Sequence, residues 1–577
     1  MVTRRQFMIA SAGLGAGFLV PAMLQARRTY AASQQITKFT EPLPIPFPGA
    51  APSVLTIAPS SHSFHSNLGA GPTWGYGGAE YLGPTIEVTR GTPLSLNVVN
   101  NLGAHPLVAS IDTTLHGVQA SDATSPRVAL HQHGGNIEPQ SDGYPEDAFM
   151  PGQNYVYNFN NNQEAATLWY HDHALGMTGL NVMAGLAGFY LIRDIDDPAG
   201  GNGPLGIPAG PPYEVPLVLQ DRSFNPDGSL FFPSAPWEPE FLGDVATVNG
   251  KAWPNLNVDR TMYRFRIING SSSRTYKLKL SSKQPIIQIG TDGGMLNAPV
   301  QLNALLLSPG ERADVLIDFG SSLPGDKIIL ENDAAAPYPS GRASVVVGGT
   351  FPLPEIMQFT VNAGAASPGV VPQTLRLNKP LIRPITTTPV RQRFLTLVEI
   401  AGETAPLVML LNHVYWDEAL NNPALMEQPK VDTVEQWNII NLTPVAHPLH
   451  LHLVMFQILN RQKINTTQYM KAYLATGPRT VLTHHAPGGP TVPAGYPPLD
   501  PTLFSIGPVR SPAPNEAGWK DTVLVNPSEV IRLIIPFGAQ AAPNLPFGNS
   551  FTGRYVWHCH MIDHEDNEMM LPFEVVP

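Results

Sequence analysis

Cysteine is almost missing from this chain. Cys559 is the single one among 577 residues, which excludes any disulfide within the molecule. Charge is also scarce: Asp, Glu, Lys and Arg make up 14% of the residues, against roughly a quarter in an ordinary soluble protein. The balance is acidic, −11, so no nucleic-acid footprint is expected. No run beyond Leu24 is apolar enough to cross a bilayer, so no membrane span is expected in the mature chain. Helical periodicity is weak and short throughout. Proline is plentiful instead, with 60 residues beside 51 glycines, about twice the usual proline share. That composition favours strands, turns and loops over helix bundles, and the length suggests three or four domains.

The amino terminus has the features of a targeting segment. Thr3 to Ala10, TRRQFMIA, resembles the twin-arginine export signal. A mildly apolar, Gly-containing run follows to Leu24, and small residues near Ala31 and Ala32 offer a cleavage site. Residues 1–33 are therefore expected to be a signal peptide. The folded protein would leave by the twin-arginine route for the periplasm or the extracellular space.

An internal repeat sets the domain count. GTPLSLNVVNNL begins at Gly91, DRTMYRFRIINGS at Asp259 and DTVEQWNIINLT at Asp432. Each is an alternating strand that closes on an asparagine: Asn100, Asn269 and Asn441. In the middle copy Tyr263, Phe265 and Ile267 face one way and Arg264 and Arg266 the other. The spacing predicts an all-β chain of three β-sandwich domains: 34–194, 213–361 and 391–577. The Pro-, Ala- and Thr-rich stretch 362–390 is read as a linker. A Pro/Gly-rich excursion over about 475–516 is too long for an idle loop.

The chain has seventeen histidines, and ten fall in four clusters: His131 and His133; His171 and His173; His447, His450 and His452; His558, His560 and His564. None lies between His173 and His413, so the middle domain supplies no imidazole. An i, i+2 pair on a strand puts both rings on one face, about 6–7 Å apart at the backbone. Four such pairs offer eight nitrogens, enough for three metal ions. His62, His65, His105, His116, His413, His484 and His485 lack the pattern and are read as surface or loop residues.

Cys559 sits inside the last cluster, in YVWHCHMIDHEDNEMM from Tyr555 to Met570. On a strand, Cys559 points to one face and His558 and His560 to the other. Thiolate, two imidazoles and a weak axial thioether make the trigonal site of electron-transfer copper. His447 and His564 remain to complete it, and Met569 and Met570 are the candidate thioethers. The strand would then carry two metal sites on opposite faces, joined by two short covalent paths.

These motifs, with HGGNIEPQSDGYPE, LWYHDH, HPLHLHLVMFQIL and GWKDT, resemble the multicopper oxidases, the laccase-like family of three cupredoxin domains. The branch is that of bacterial spore-coat laccases and bilirubin oxidases. The resemblance implies four coppers per chain. His447, Cys559 and His564 would bind type 1 copper, with Met569 axial. His131 and His450 would hold type 2 copper. His133, His171 and His560 would hold one type 3 copper, and His173, His452 and His558 the other. It further implies electron transfer from a small-molecule reducing substrate through an exposed edge of His564. Cys559 passes the electrons on, and O₂ is reduced to water, with Asp142 and Glu565 as the acids near the cluster. Departures include Gln132 where many relatives carry Trp or Leu, Val445 where fungal bilirubin oxidases carry Trp, and a longer segment between His452 and Trp519. No Met-rich insertion is present. A laccase acting on phenols or aryl amines is the leading expectation. A bilirubin oxidase or metal-ion (Mn or Cu) oxidase stands as the alternative, a copper-free exported scaffold as the remote one, and a monomer is expected.

Overall fold

The computed structural model describes residues 28–577, apart from 202, 342–344, 348–352, 402–405, 477–479, 482–492 and 495–497. Most of the expected signal peptide, and His484 and His485, therefore lie outside the described residues. Arg28–Tyr30, counted above with the leader, pairs in parallel with Val345–Val347. Ser33 donates to Asp244 at 2.6 Å.

Strands dominate, and their sheets fall into three sequential groups. The first group is two four-stranded sheets. One orders Gly71–Tyr76, Val54–His62, Leu94–Asn100 and Asn154–Phe159, and the other Ile86–Thr89, Ala187–Arg193, Ala166–Asp172 and Leu130–His133. The middle group pairs an eight-stranded sheet with a five-stranded one between Glu214 and Val361. The last pairs a six-stranded sheet with a four-stranded one between Arg391 and Val575. That four-stranded sheet runs Thr522–Val525, His447–Leu451, Gly553–Cys559, Met570–Val575. Residues 362–390 contain no strand or helix. The excursion after Ala475 contributes Ser505–Arg510 as an exposed edge strand beside Gln457–Ile464. No described helix is long and apolar enough to cross a membrane.

The three repeated asparagines perform one job three times. Asn100 accepts from the backbone N–H of Leu102 and donates to the carbonyls of Pro126 and Phe149. Asn269 accepts from Ser271 and donates to Arg274 and Leu307. Asn441 accepts from Thr443 and donates to Val445 and Val525. All three are fully buried. Each amide closes the turn after its strand and ties it to two neighbouring segments. An apolar replacement would strand those partners at about 1–3 kcal/mol each.

Alternation in the middle copy does not separate core from solvent. Arg264 and Arg266 are as buried as Tyr263 and Phe265. Their guanidinium groups meet Asp197, Glu214 and Asp314, with Arg264 Nη1 to Asp197 Oδ1 at 2.6 Å and Arg264 Nε to Asp314 Oδ1 at 2.9 Å. Arg266 also donates to Thr167 of the first group at 2.8 Å. The arginine face is thus a contact between sheet groups. Burial alone would raise the Asp197 pKa, but Arg264, Arg266 and Arg193 hold it well below the usual value.

Candidate metal centre

Two strand pairs deliver the eight imidazoles. Leu130–His133 runs antiparallel to Ala166–Asp172 with His131 opposite His171. His447–Leu451 runs antiparallel to Gly553–Cys559 with His450 opposite His558. The first pair belongs to the first sheet group and the second to the last, and their rings interleave. His131 stacks on His452 with centroids 3.7 Å apart, and His133 on His450 at 3.6 Å. None of the eight is more than 1% exposed.

Outer partners fix the ring tautomers. The carbonyl oxygens of Asp142 and Asp172 accept from Nδ1 of His131 (2.6 Å) and His171 (2.8 Å), and that of Asp521 from Nδ1 of His450 (3.0 Å). A carbonyl can only accept, so the proton sits on Nδ1 and a bare Nε2 turns inward. His133 is reversed: Nε2 faces Asp521 Oδ1 at 3.1 Å and Thr522 Oγ1 at 3.0 Å, which leaves Nδ1 bare. These four inward nitrogens have no hydrogen-bond partner. Nε2 of His558 lies 3.2 Å from Nε2 of His173 and 3.3 Å from Nε2 of His452. Buried polar atoms without partners are costly, and lone pairs this close repel unless a cation lies between them. Burial lowers the pKa of His171 and of His173 to about 3, which keeps both rings neutral. Neutral imidazole is the form that binds metal.

The ligand atoms group accordingly. His173, His452 and His558 form one set within reach of a single ion, and His131 with His133 and His171, or with His450 and His452, form others. The rings of His133, His171 and His560 have centroids separated by 4.9, 5.4 and 5.7 Å, but their ligand atoms do not form one of these sets. Both nitrogens of His560 are buried without a hydrogen-bond partner.

Cys559 lies across the strand from these rings. Its Sγ is 3.5 Å from His447 Nδ1 and 3.9 Å from His564 Nδ1, and those nitrogens are 3.2 Å apart. The centre of that triangle is about 2 Å from each corner, a metal–ligand distance. Burial pushes the Cys559 thiol well up, so it ionises only against a cation. Met569 packs in the same apolar cluster as Cys559, whereas Met570 packs with Tyr144, Trp416 and Val556. Thr443 Oγ1 bonds the far nitrogen of His447 at 2.6 Å.

His564 departs from the expected exposed edge: it is fully buried. A segment of the middle group straps over its helix. Trp237 Nε1 donates to the Asp563 carbonyl at 2.9 Å, and the Phe241 N–H to Asp563 Oδ2 at 2.9 Å. His564 Nε2 has no hydrogen-bond partner and faces Glu240 Oε1 at 3.8 Å.

Asp142 and Glu565 both touch the rings. Asp142 Oδ2 lies 2.6 Å from His452 Nδ1. Glu565 Oε2 lies 3.0 Å from His558 Nδ1, and Oε1 3.4 Å from His173 Nδ1. Burial raises the pKa of both. Asp521, the acid of GWKDT, is not among the residues that the motifs single out. It faces His133, and Arg312 of the middle group holds it.

Of the histidines expected at the surface or on loops, His65, His105 and His413 lie on loops and His62 ends a strand, but none of the four is at the surface. His62, His65, His105 and His413 are buried. His62 bonds the Gly250 carbonyl at 2.8 Å, His65 that of Thr37 at 2.9 Å, and His413 the Tyr473 hydroxyl at 2.7 Å. His116 is partly buried between Asp417 and Glu568.

Two sequence models described as multicopper oxidase match residues 117–197 and 402–577. A laccase of Bacillus subtilis is 35% identical, covering 90% of this chain and 93% of its own. The multicopper oxidase LPR1 of Arabidopsis thaliana is 33% identical, over 89% and 86%. The crystal structure of the multicopper oxidase McoA from Aquifex aeolicus superposes with a TM-score of 0.68 at 26% identity, over 94% of this chain and 100% of that one. Relatedness over nearly the full length agrees with a buried donor set suited to copper, and the chain belongs to the multicopper oxidases, copper-dependent oxidoreductases that use O₂.

Proposed function

We propose that the protein is a laccase-type oxidase of phenols and aryl amines. The observation that carries this reading is the strand Gly553–Cys559. Cys559 closes a three-ligand site on one face, while His558 and the following His560 join the eight-imidazole cluster on the other. Bound copper would accept single electrons from the donor and supply four to O₂, which leaves as two waters.

His447, Cys559 and His564 would hold the type 1 ion, with Met569, which packs in the same cluster as Cys559, as the thioether ligand. His131 and His450 would hold type 2 copper, and the other six rings of the cluster the type 3 pair. Asp142 orients His452, and Asp521 orients His133. Glu565 is placed against His558 and His173, where it can hold a proton for oxygen reduction. The donor approaches His564 from the Glu240 side. One preparation assayed with a phenol, bilirubin and Mn(II), coupled to oxygen uptake, tests the reading. Phenol oxidation at four donors per O₂ is expected; absence of phenol-dependent uptake would contradict it.

Glu240 favours a second reading, a metal-ion oxidase, because a carboxylate 3.8 Å from His564 suits a cationic donor. Mn(II) turnover lost in Glu240→Gln, with phenol turnover kept, would select it. Export rests on the Arg4–Arg5 pair. A folded reporter fused behind residues 1–33 should leave the cytoplasm and should stay inside when both arginines become lysine. A monomer is expected by sedimentation.

A further inference from the structure

His564 is fully buried, so a donor molecule does not touch its ring. An electron from outside has to cross the cover, residues 237–241. Three of these five, Pro239, Glu240 and Phe241, are themselves buried. Trp237 and Glu238 are half-buried and reach solvent, and of these two only Trp237 carries a π system.

Trp237 is held at both ends. Its backbone N–H donates to Asp112 Oδ2 at 2.7 Å. Its indole Nε1–H donates to the Asp563 carbonyl at 2.9 Å, and the same peptide group carries the backbone nitrogen of His564. Asp563 is fixed in turn: Oδ2 accepts from the Phe241 N–H at 2.9 Å and from Ser273 Oγ at 2.6 Å. The indole packs against the apolar cluster that contains Cys559, Met561 and Met569. Trp237 also lines a groove with Leu115, Leu180, Phe232, Pro233 and Pro236. The groove is shallow: it offers about 30 Å³, room for about two waters rather than an enclosed aromatic ring. A flat donor would lie against these walls, in the contact that aromatic rings favour with an indole.

We propose that Trp237, and not an open edge of His564, is the electron-entry residue: an aromatic donor rests on its indole, and the electron passes by the Nε1–H···O=C contact to the peptide group that joins Asp563 to His564. The inference rests on the oxidase reading above. In each event a phenol gives one electron to the Cys559 site and its hydroxyl proton to the medium, and leaves as a phenoxyl radical. An aryl amine gives one electron and leaves as its radical cation. The indole only lends orbitals between donor and site. No bond in Trp237 breaks, and it is neither oxidised nor reduced over the cycle.

The alternative is a plain cover that keeps water from the Cys559 site. The two readings differ in sign. Electron transfer weakens steeply with the width of the gap, and less steeply through bonded and hydrogen-bonded atoms than through empty space. Truncating a bridge therefore slows entry. Truncating a cover opens His564 to the donor and leaves entry as fast or faster.

Copper-loaded wild type, Trp237→Phe and Trp237→Leu separate the two. Each is mixed with a phenol without air, and loss of the visible type 1 band is followed. Trp237→Leu loses both the ring and the hydrogen bond and should be reduced at least about tenfold more slowly. Trp237→Phe keeps a ring but loses the N–H and should be slowed at least about threefold. The type 1 potential and the reoxidation of reduced protein by O₂ should match wild type in both, because the ligands are untouched. A further readout needs no turnover. In reduced, diamagnetic holoenzyme labelled with fluorotryptophan, the resonance that Trp237→Phe lacks should shift when the phenol is added. A wild-type or faster rate in either variant overturns the proposal, and so does a Trp237 resonance that the phenol leaves in place. Slowing that comes with a lowered type 1 potential is a structural effect and counts against it. If Trp237→Leu fails to load copper, Trp237→Phe and the resonance decide. Wild type that oxidises phenols beside variants reduced at the same rate sinks this inference alone; wild type without phenol-dependent oxygen uptake sinks the parent reading.

Discussion

Arg312 of the middle sheet group grips Asp521 of the last with two parallel hydrogen bonds. Nη1 reaches Oδ1 at 2.7 Å and Nη2 reaches Oδ2 at 2.5 Å, with both side chains fully buried. Asp521 Oδ1 in turn faces His133 Nε2 at 3.1 Å and His450 Nδ1 at 3.5 Å. The middle group has no histidine, yet through Arg312 it sets how a ring of the first group and a ring of the last present their nitrogens. Arg312 also donates to the Thr167 carbonyl at 3.0 Å, so three sheet groups meet at one guanidinium.

Arg312→Met should leave Asp521 buried and uncompensated. A loss of about 3–5 kcal/mol is expected. Copper should leave the histidine cluster before it leaves the Cys559 site. Thermal unfolding and copper per chain, with the type 1 signal counted separately, check this. Full copper content with an unchanged melting temperature would contradict the relationship.

Asp142 should separate orientation from proton supply. An amide oxygen can still accept from His452 Nδ1, so Asp142→Asn should keep the cluster loaded. It should slow reoxidation by O₂ and leave the type 1 spectrum and anaerobic reduction intact. Asp142→Ala removes the acceptor, and copper affinity of the cluster should drop about 10–100-fold. Titration of the copper-free protein and stopped-flow reoxidation give the two readouts. If only the donor half-reaction slows in Asp142→Asn, its assigned role is wrong.

Met569→Leu should raise the type 1 potential, because a thioether favours the oxidised ion relative to an apolar group. Met570→Leu should not, since Met570 packs against Trp416 and Val556 rather than beside Cys559. Each swap conserves volume and should cost under about 1.5 kcal/mol. Redox titration of both variants decides: a shift in Met570→Leu alone would reverse the choice of ligand.

Copper binding at the Cys559 site should depend on pH far more than binding at the cluster. Burial raises the thiol pKa, so the metal must displace a proton throughout the neutral range. Affinity there should fall about tenfold for each unit of acidification, one proton being released per ion. His171 and His173 have folded pKa values lowered to about 3, so they stay neutral down to that range and add no such dependence above it. Competition titrations at several pH values between 5 and 8 would show it. Equal pH slopes at the two sites would refute it.

Local order was legible in the sequence, and long-range pairing was not. The i, i+2 histidines announce strands carrying two ligands on a face because the strand period is a local property. Asn100, Asn269 and Asn441 announce a repeated turn for the same reason. Alternation sets Arg264 and Arg266 on the face opposite Tyr263, Phe265 and Ile267, but it does not say what covers that face. The exposed edge of His564 is what the resemblance implies; its cover, Trp237 to Phe241, lies more than three hundred positions away and shows no local signal. Arg312 and Glu240 carry no local signal, and Asp521 shows only as the acid of GWKDT; their partners are set by how the sheet groups dock. His62, His65, His105 and His413 read as surface or loop residues for want of a pattern, and burial is what that reading misses: a buried imidazole needs only one or two partners, which no motif records.

Copper analysis of the purified, copper-loaded protein beside Cys559→Ser tests the central claim most directly. Wild type should hold four coppers per chain and show an intense visible band. The variant should keep the cluster ions and lose the band, because a hydroxyl does not replace the thiolate in this geometry. A variant that remains blue, or a wild type that binds no copper, would contradict the account.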